Sequence, residues 1–262
     1  MTGPRIVVTN DDGIESPGLL AMADAMADLG TVVVAAPASD MSGAGTGIGK
    51  LDSHGVDMKR VDMSGYEAYT IAGPPGLAVM AVALGAFGGP AEMVVSGINA
   101  GINTGQSIIH SGTVGAALTA RTFRMKGMAV SLAESDPWHW ETAGAVAHSA
   151  ARWLLSRSGL PPVLNVNVPG RPVGEIRGVH WADLDEFGYF RVANTEEEAR
   201  RLQFTVSAAS TGSDPASDSA ICDKGFVAVT PISPISPAPF PDVDPSSIWP
   251  GDQEGRRHSA AS

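Results

Sequence analysis

The chain has 262 residues, 44% of them hydrophobic and 17% charged, enough to bury a sizeable core and too apolar for a disordered polymer. Its formal charge is −11, from 17 basic and 28 acidic residues, which excludes a protein that tracks a nucleic-acid polymer through a basic face. A small phosphorylated substrate stays open, because one bound divalent cation reverses the sign of the field inside a pocket.

Strands and helices alternate over the first 170 or so residues. Arg5–Asn10 reads as a buried strand and Pro17–Leu29 as a helix; Thr31–Ala36 is the second strand and Glu67–Ile71 a weaker one. A helix follows near Gly76–Leu84, then a strand at Glu92–Ser96, a long glycine-rich loop, and a helix over Thr113–Arg124. Met128–Leu132 and Val163–Val168 are further strands, separated by a helix near Trp138–Leu155. This order implies βαβ units and an α/β, Rossmann-like, doubly wound and mostly parallel sheet. Residues 1–175 make the core, and 176–245 a C-terminal β-hairpin or extended arm of the same domain, suited to oligomerisation. Within that arm, 175–182, 202–209 and 225–232 are strand-like and Glu196–Leu202 reads as a short helical turn. Residues 246–262 form a flexible tail after a proline-dense stretch.

The single cysteine, Cys222, excludes an intrachain disulfide and a Cys-based metal cluster. No apolar run reaches about 18 residues, and the start has no signal-like pattern. The expectation is a cytoplasmic chain that does not enter a membrane.

Chemistry concentrates at the strand ends, where open parallel sheets bind ligands. Thr9-Asn10-Asp11-Asp12-Gly13 follows the first strand. Two adjacent carboxylates there repel unless a cation separates them, and a hard ion such as Mg²⁺ or Mn²⁺ takes oxygen ligands. The plain alternative is an Asx-turn and a helix cap. The second strand leads into Ser39-Asp40-Met41-Ser42, which supplies hydroxyls, and the fourth into Asn99-Ala100-Gly101-Ile102-Asn103, which supplies amides. Ser111-Gly112-Thr113 opens a helix, where exposed N–H groups attract an anion and glycine admits it closely. Neither a P-loop nor a dinucleotide-binding GxGxxG is present.

Together, Thr9–Gly13, Val95-Ser96-Gly97-Ile98-Asn99-Ala100-Gly101-Ile102-Asn103 and Ser111-Gly112-Thr113-Val114-Gly115-Ala116-Ala117 resemble the SurE (survival protein E) nucleotidase and acid phosphatase family. The resemblance runs from about residue 5 to Leu164-Asn165-Val166-Asn167-Val168-Pro169, and continues faintly in Gly225–Pro231. It implies a metal-dependent phosphatase acting on a nucleoside monophosphate, with the cation on Asp11, Asp12, Ser42 and Asn99. It places phosphate contacts on Asn103, Ser111, Gly112 and Thr113, with Asp11, Asp12, Asn103 and Ser111 as the catalytic set. Members assemble as homodimers or homotetramers through C-terminal extensions.

The chain also departs from the family. Where members usually show Gly-Thr-Pro-x-Asp-Cys-Val, it has Gly73-Pro74-Pro75-Gly76-Leu77-Ala78-Val79, and Gly47-Ile48-Gly49 replaces a more polar run after Ser42. These changes fall beside the non-phosphate part of a substrate, so a modified nucleotide, another phosphate ester, or a catalytically altered nucleotide-binding role stays open. The nucleophile is water or Asp11 itself. His110, next to Ser111, is either an acid for the leaving oxygen or a packing or substrate-stacking residue on the substrate-binding side. His139 and His148 read as ordinary helix residues, and Asp183, Asp185 and Glu186 as a solvated loop.

Overall fold

The computed structural model describes residues 3–51, 55–89, 91–186, 190–198, 201–208 and 214–235. Strands β1 (Arg5–Thr9), β2 (Thr31–Pro37), β3 (Met58–Met63), β4 (Tyr66–Ile71), β5 (Met93–Ala100), β6 (Lys126–Leu132), β7 (Val163–Val168), β8 (Val179–Trp181) and β11 (Val227–Ile232) form one nine-stranded sheet. Its order is β3-β4-β2-β1-β5-β6-β7-β11-β8. The central pairs, β2 to β7, are parallel; β3 on β4 and β11 on β7 are antiparallel. After β1 the chain builds outward through β2 and β4, then returns to β1's other side with β5. The crevice at the ends of β1 and β5 is therefore the topological switch point of a doubly wound sheet.

Alternation along β1 assigns its faces: Ile6 and Val8 point to one core and Val7 to the other. Helices α1 (Pro17–Met26) and α4 (Trp140–Leu155) cover the first face, α2 (Pro75–Ala83) and α3 (Gly112–Thr122) the second. In α4 the residues Ala143, Ala147, Ala151 and Leu154 form one fully buried stripe at helical spacing. Leu19 and Met22 of α1 are fully buried against the same face, each contributing about 1.5–3 kcal/mol.

Within 196–202, expected to turn helically, residues 196–198 and 201–202 are extended: β9 (Phe190–Glu198) and β10 (Arg201–Ala208) pair antiparallel as a separate two-stranded sheet. Local helix preference in the Glu-rich run yields there to cross-strand pairing. The sequence reading also lacked β3 and the short helix α5 (Asp218–Asp223). The loop at 183–186 is only partly solvated, since Asp185 is buried while Asp183 and Glu186 are exposed. Residue 209 and the tail at 246–262 lie outside the described residues.

One local feature aims the site. β5 continues past Ser96 to Ala100, and its register on β6 slips: Ser96 pairs Ala129 but Asn99 pairs Ser131. Two residues on β5, Gly97 and Ile98, thus oppose one on β6, which is a bulge that redirects Asn99. Gly97 has φ 126°, and a Cβ there would collide with the Val130 carbonyl. Gly97→Ala is accordingly expected to lower unfolding free energy by at least ~1–3 kcal/mol, read as a fall in the urea midpoint, and to misdirect Asn99.

Candidate active site

The turn after β1 is made by Asn10, not by the aspartates. Its side chain accepts from the Gly13 N–H at 3.2 Å and donates to the Gly13 carbonyl at 3.0 Å, while Gly13 takes φ 100°. Ser16, at the N-cap of α1, makes no side-chain cap bond, and Pro17 opens that helix instead. Neither the turn nor the helix cap therefore occupies Asp11 or Asp12.

Asp11 is buried under the start of α3. Thr113 Oγ1 donates to Asp11 Oδ1 and also faces Asn99 Oδ1 at 3.2 Å, so one hydroxyl bridges β1, β5 and α3. A Cβ on Gly112 would sit 2.7 Å from the Asp11 Cβ and 2.8 Å from its Oδ2. Only glycine lets the helix start lie this close to the carboxylate. Ser111 caps α3 by accepting from the Val114 N–H at 3.2 Å, leaving the first-turn N–H groups of Gly112 and Thr113 without an intrahelical acceptor by position.

Asp12 is half-buried, and its Oδ2 is a buried oxygen with no protein partner. Burial first, then the neighbouring Asp11 and Asp40 charges, push its carboxyl up to about 6, against a backbone N–H bond from Ala100. A buried, unpartnered carboxylate oxygen beside a second carboxylate is what a hard cation compensates.

The other expected residues sit differently. Ser42 is exposed, and both its hydroxyl (2.6 Å) and its N–H (2.8 Å) donate to Asp40 Oδ1, holding the Asp40 carboxyl below its usual range. Its loop nevertheless lies against the first: the Met41 N–H donates to the Asp11 carbonyl at 2.7 Å. Asn99 donates to the Gly101 carbonyl at 2.7 Å, leaving its Oδ1 toward Thr113. Among the described residues no three His, Cys, Asp or Glu side chains gather into a metal-holding group, so any cation here takes a mixed set of carboxylate, hydroxyl and amide oxygens. Asp11, Asp12, Ser42 and Asn99 have that chemistry.

Asn103 is directed from its backbone. Its N–H donates to Asn167 Oδ1 at 2.8 Å, and its carbonyl accepts from Asn165 and Asn167 Nδ2, each at 2.8 Å. Its own amide gives one N–H to Ser131 Oγ at 2.9 Å, and the second proton on that nitrogen is available to a ligand. His110 is exposed and contributes its carbonyl, which accepts from the Gly45 N–H at 3.0 Å. Asp40, Ser131, Asn165 and Asn167 were not singled out as site residues. The signal for the last two was the pattern Leu-Asn-Val-Asn-Val, two amides inside an apolar strand that must find buried partners. The two altered segments meet: Gly76 lies 2.9 Å, from a would-be Cβ, to the Gly47 carbonyl, and Gly49 faces Pro74.

The sequence pattern of the family Survival protein SurE matches residues 6–190. The chain is 36% identical over 233 residues to the 5'-nucleotidase SurE of Alkalilimnicola ehrlichii, covering 87% of this chain and 88% of that protein. It is 43% identical over 176 residues to the protein of the same name from Magnetococcus marinus, covering 66% and 68%. The crystal structure of SurE protein from Aquifex aeolicus superimposes with TM-score 0.74 at 27% identity, covering 97% of this chain and 100% of that one.

The Asp12 environment has a consequence for metal-free protein. A carboxyl raised from 3.8 to about 6 stabilises the fold below the lower value and loses that contribution as pH rises through the upper one. In EDTA, Asp12→Asn is expected to gain stability relative to the parent as pH is raised from about 4 to 6, with the gap then constant. Urea unfolding across that range measures it, and a gap that does not change with pH would show that Asp12 ionises freely.

Proposed function

The chain belongs to the SurE (survival protein E) family, and from that premise we propose that it is a divalent-metal-dependent phosphomonoesterase releasing phosphate from a nucleoside monophosphate or modified nucleotide. The observation that carries the reading is the buried Asp12 oxygen left without a partner beside Asp11, directly under the start of a phosphate-attracting helix.

Asp11, Asp12, Ser42 and Asn99 would hold the cation, which supplies charge neutralisation for the phosphoryl group. The remaining work falls to the chain. The N–H groups of Gly112 and Thr113 orient the non-bridging oxygens at the helix start, and the free Asn103 N–H donates to another. Thr113 keeps Asp11 in a single orientation by donating to Oδ1, while Oδ2 lies beside Gly112. Ser111 keeps the first turn of α3 wound through its cap. The attacking group is a water oriented by the aspartates or Asp11 itself, and trapping phospho-Asp11 would select the second. Uncatalysed phosphate-monoester hydrolysis is among the slowest of biological reactions, so positioning and charge neutralisation carry nearly all of the acceleration.

The segments at 47–49 and 73–79 pack on each other beside α3, where Gly76 approaches Thr119. Their glycines and prolines offer few side-chain donors to a nucleobase, which favours a substrate whose non-phosphate part differs from an unmodified nucleoside. We place the protein in the cytoplasm on its single cysteine; no described helix is long and apolar enough to cross a membrane. We also assign the β9–β10 hairpin to self-association as a homodimer or homotetramer. Isolated two-stranded hairpins are marginal in water, and this one forms its own sheet.

A panel of nucleoside monophosphates, modified nucleotides, sugar phosphates and polyphosphate, each with Mg²⁺ or Mn²⁺, tests the reading by phosphate release. EDTA-sensitive release from at least one monoester is expected, and none from any would overturn it. Asp11→Asn should lower turnover by on the order of 100-fold or more while thermal unfolding stays cooperative; wild-type turnover in that variant would remove Asp11 from the metal set.

A further inference from the structure

Resting on that reading, we propose that Asp218, far along the chain in α5, is the positioning residue that holds the Asn103 loop for phosphoryl transfer. The loop from Gly101 to Thr104 runs into a short 3-10 helix, Gly105–His110, and neither the loop nor the leading residues of that helix satisfy their own N–H groups. Their donors are taken instead by distant groups: Gly101 N–H by the Leu132 carbonyl (2.9 Å), Asn103 N–H by Asn167 Oδ1 (2.8 Å), Gly105 N–H by Asp218 Oδ2 (2.9 Å) and Gln106 N–H by the Asp185 carbonyl (3.1 Å). Asn103 is thereby pinned between β7 on one side and α5 on the other.

Asp218 is fully buried. Its Oδ2 meets the Gly105 N–H, while its Oδ1 accepts from the Asp185 N–H at 3.1 Å and the Ser219 N–H at 2.9 Å. Its own N–H donates to the Asp183 carbonyl at 2.8 Å. Burial raises its carboxyl above the usual range, and the three N–H donors oppose that. Burying a carboxylate is far costlier than burying a neutral acceptor, but one carboxylate accepts three charge-assisted bonds from three chain segments at once. The loop, the 183–185 strap and α5 are thereby locked to a common point. Among the described residues of the C-terminal third, Asp218 is the one whose side chain hydrogen-bonds to the backbone at Gly105. Ser219, which donates to Asp185 Oδ2, and Ser217, which caps α5 by accepting from the Ala220 N–H, support the cluster without touching the loop.

The asymmetry of the carboxylate supplies the test. In Asp218→Asn the amide oxygen goes where two N–H donors converge, at Asp185 and Ser219, and the NH₂ is left facing the Gly105 N–H. The substitution therefore breaks the loop contact and spares the other two. Ser217→Ala is the structural control, because it weakens the same helix through its cap and leaves Gly105 held. Asp218→Asn is expected to lower kcat by on the order of 10–100-fold, as a small misplacement of a ligand-holding group does. Mg²⁺ affinity by calorimetry should be unchanged. Amide exchange should quicken at Gly105 and Gln106 but not at Ser219. Ser217→Ala should lower Tm with kcat and Gly105 exchange as in the parent.

Parental kcat in Asp218→Asn would overturn the proposal, as would a loss of kcat in Ser217→Ala that matches Asp218→Asn at equal loss of Tm. If Asp218→Asn does not fold, Asp218→Glu keeps the charge and shifts the acceptor by one methylene. Reduced kcat with parental Mg²⁺ affinity then supports the assignment, and parental kcat overturns it. A parent protein without phosphatase activity would sink the functional reading instead, and amide exchange at Gly105 would still decide whether Asp218 holds the loop.

Discussion

Two carboxylates in consecutive positions end β1 at the point where the sheet reverses its winding, and one of them is pressed beneath the first turn of a helix. Burial and the adjacent Asp11 charge raise the proton affinity of Asp12, and such a pair calls for a compensating positive charge. The surrounding structure is organised to keep that situation in place. Gly112 gives up a side chain so that α3 can start against Asp11, and Thr113 spends its hydroxyl on the same carboxylate. Asn10 makes the turn that the aspartates would otherwise have made. The bulge at Gly97 then turns Asn99 toward the same place. With 31 glycines in the chain, several at these contacts do one job: they let backbone approach backbone or carboxylate where any Cβ would intrude.

From that centre the site extends by anchoring rather than by bulk. Asn103 is held by two asparagines of β7 that act through its peptide group, so the side chain itself is left with an uncommitted donor. The C-terminal segments matter to this arrangement. β11 and β8 widen the main sheet beyond β7, and α5 reaches back to the loop through a single buried carboxylate. A stretch that contributes no obvious phosphate ligand thus borders the Asn103 loop.

The segments at 47–49 and 73–79, which depart from the family pattern, are backbone-rich and lie against each other. The loop after β2 docks on the start of α3 through Gly45, whose N–H donates to His110, and reaches the glycine at the head of α2. On the proposed function, phosphate chemistry and recognition of the leaving group fall to different parts of the fold. The first depends on charges and helix geometry that tolerate little change, and the second on a surface that can vary while the first is kept.

The alternation of apolar strands and amphipathic helices, the doubly wound and mostly parallel sheet, and the residue types of the candidate site were legible in the sequence. Each rests on a local pattern: Val-Val-Val for a buried strand, paired aspartates after it, Ser-Gly-Thr at a helix start. β3 and α5 were not legible, since their patterns are short and polar and gain order from partners far along the chain. The run Glu196–Leu202 misled for a related reason, because intrinsic helix preference there is weaker than pairing with a neighbouring strand. Which oxygens face which was decided only in three dimensions. That Ser42 turns to Asp40, that Thr113 bridges Asp11 and Asn99, and that Asp185 and Asp218 are buried are outcomes of packing between residues up to 113 positions apart. A sequence states which groups are present; the direction of a hydrogen bond and the burial of a charge depend on what the rest of the chain places around them.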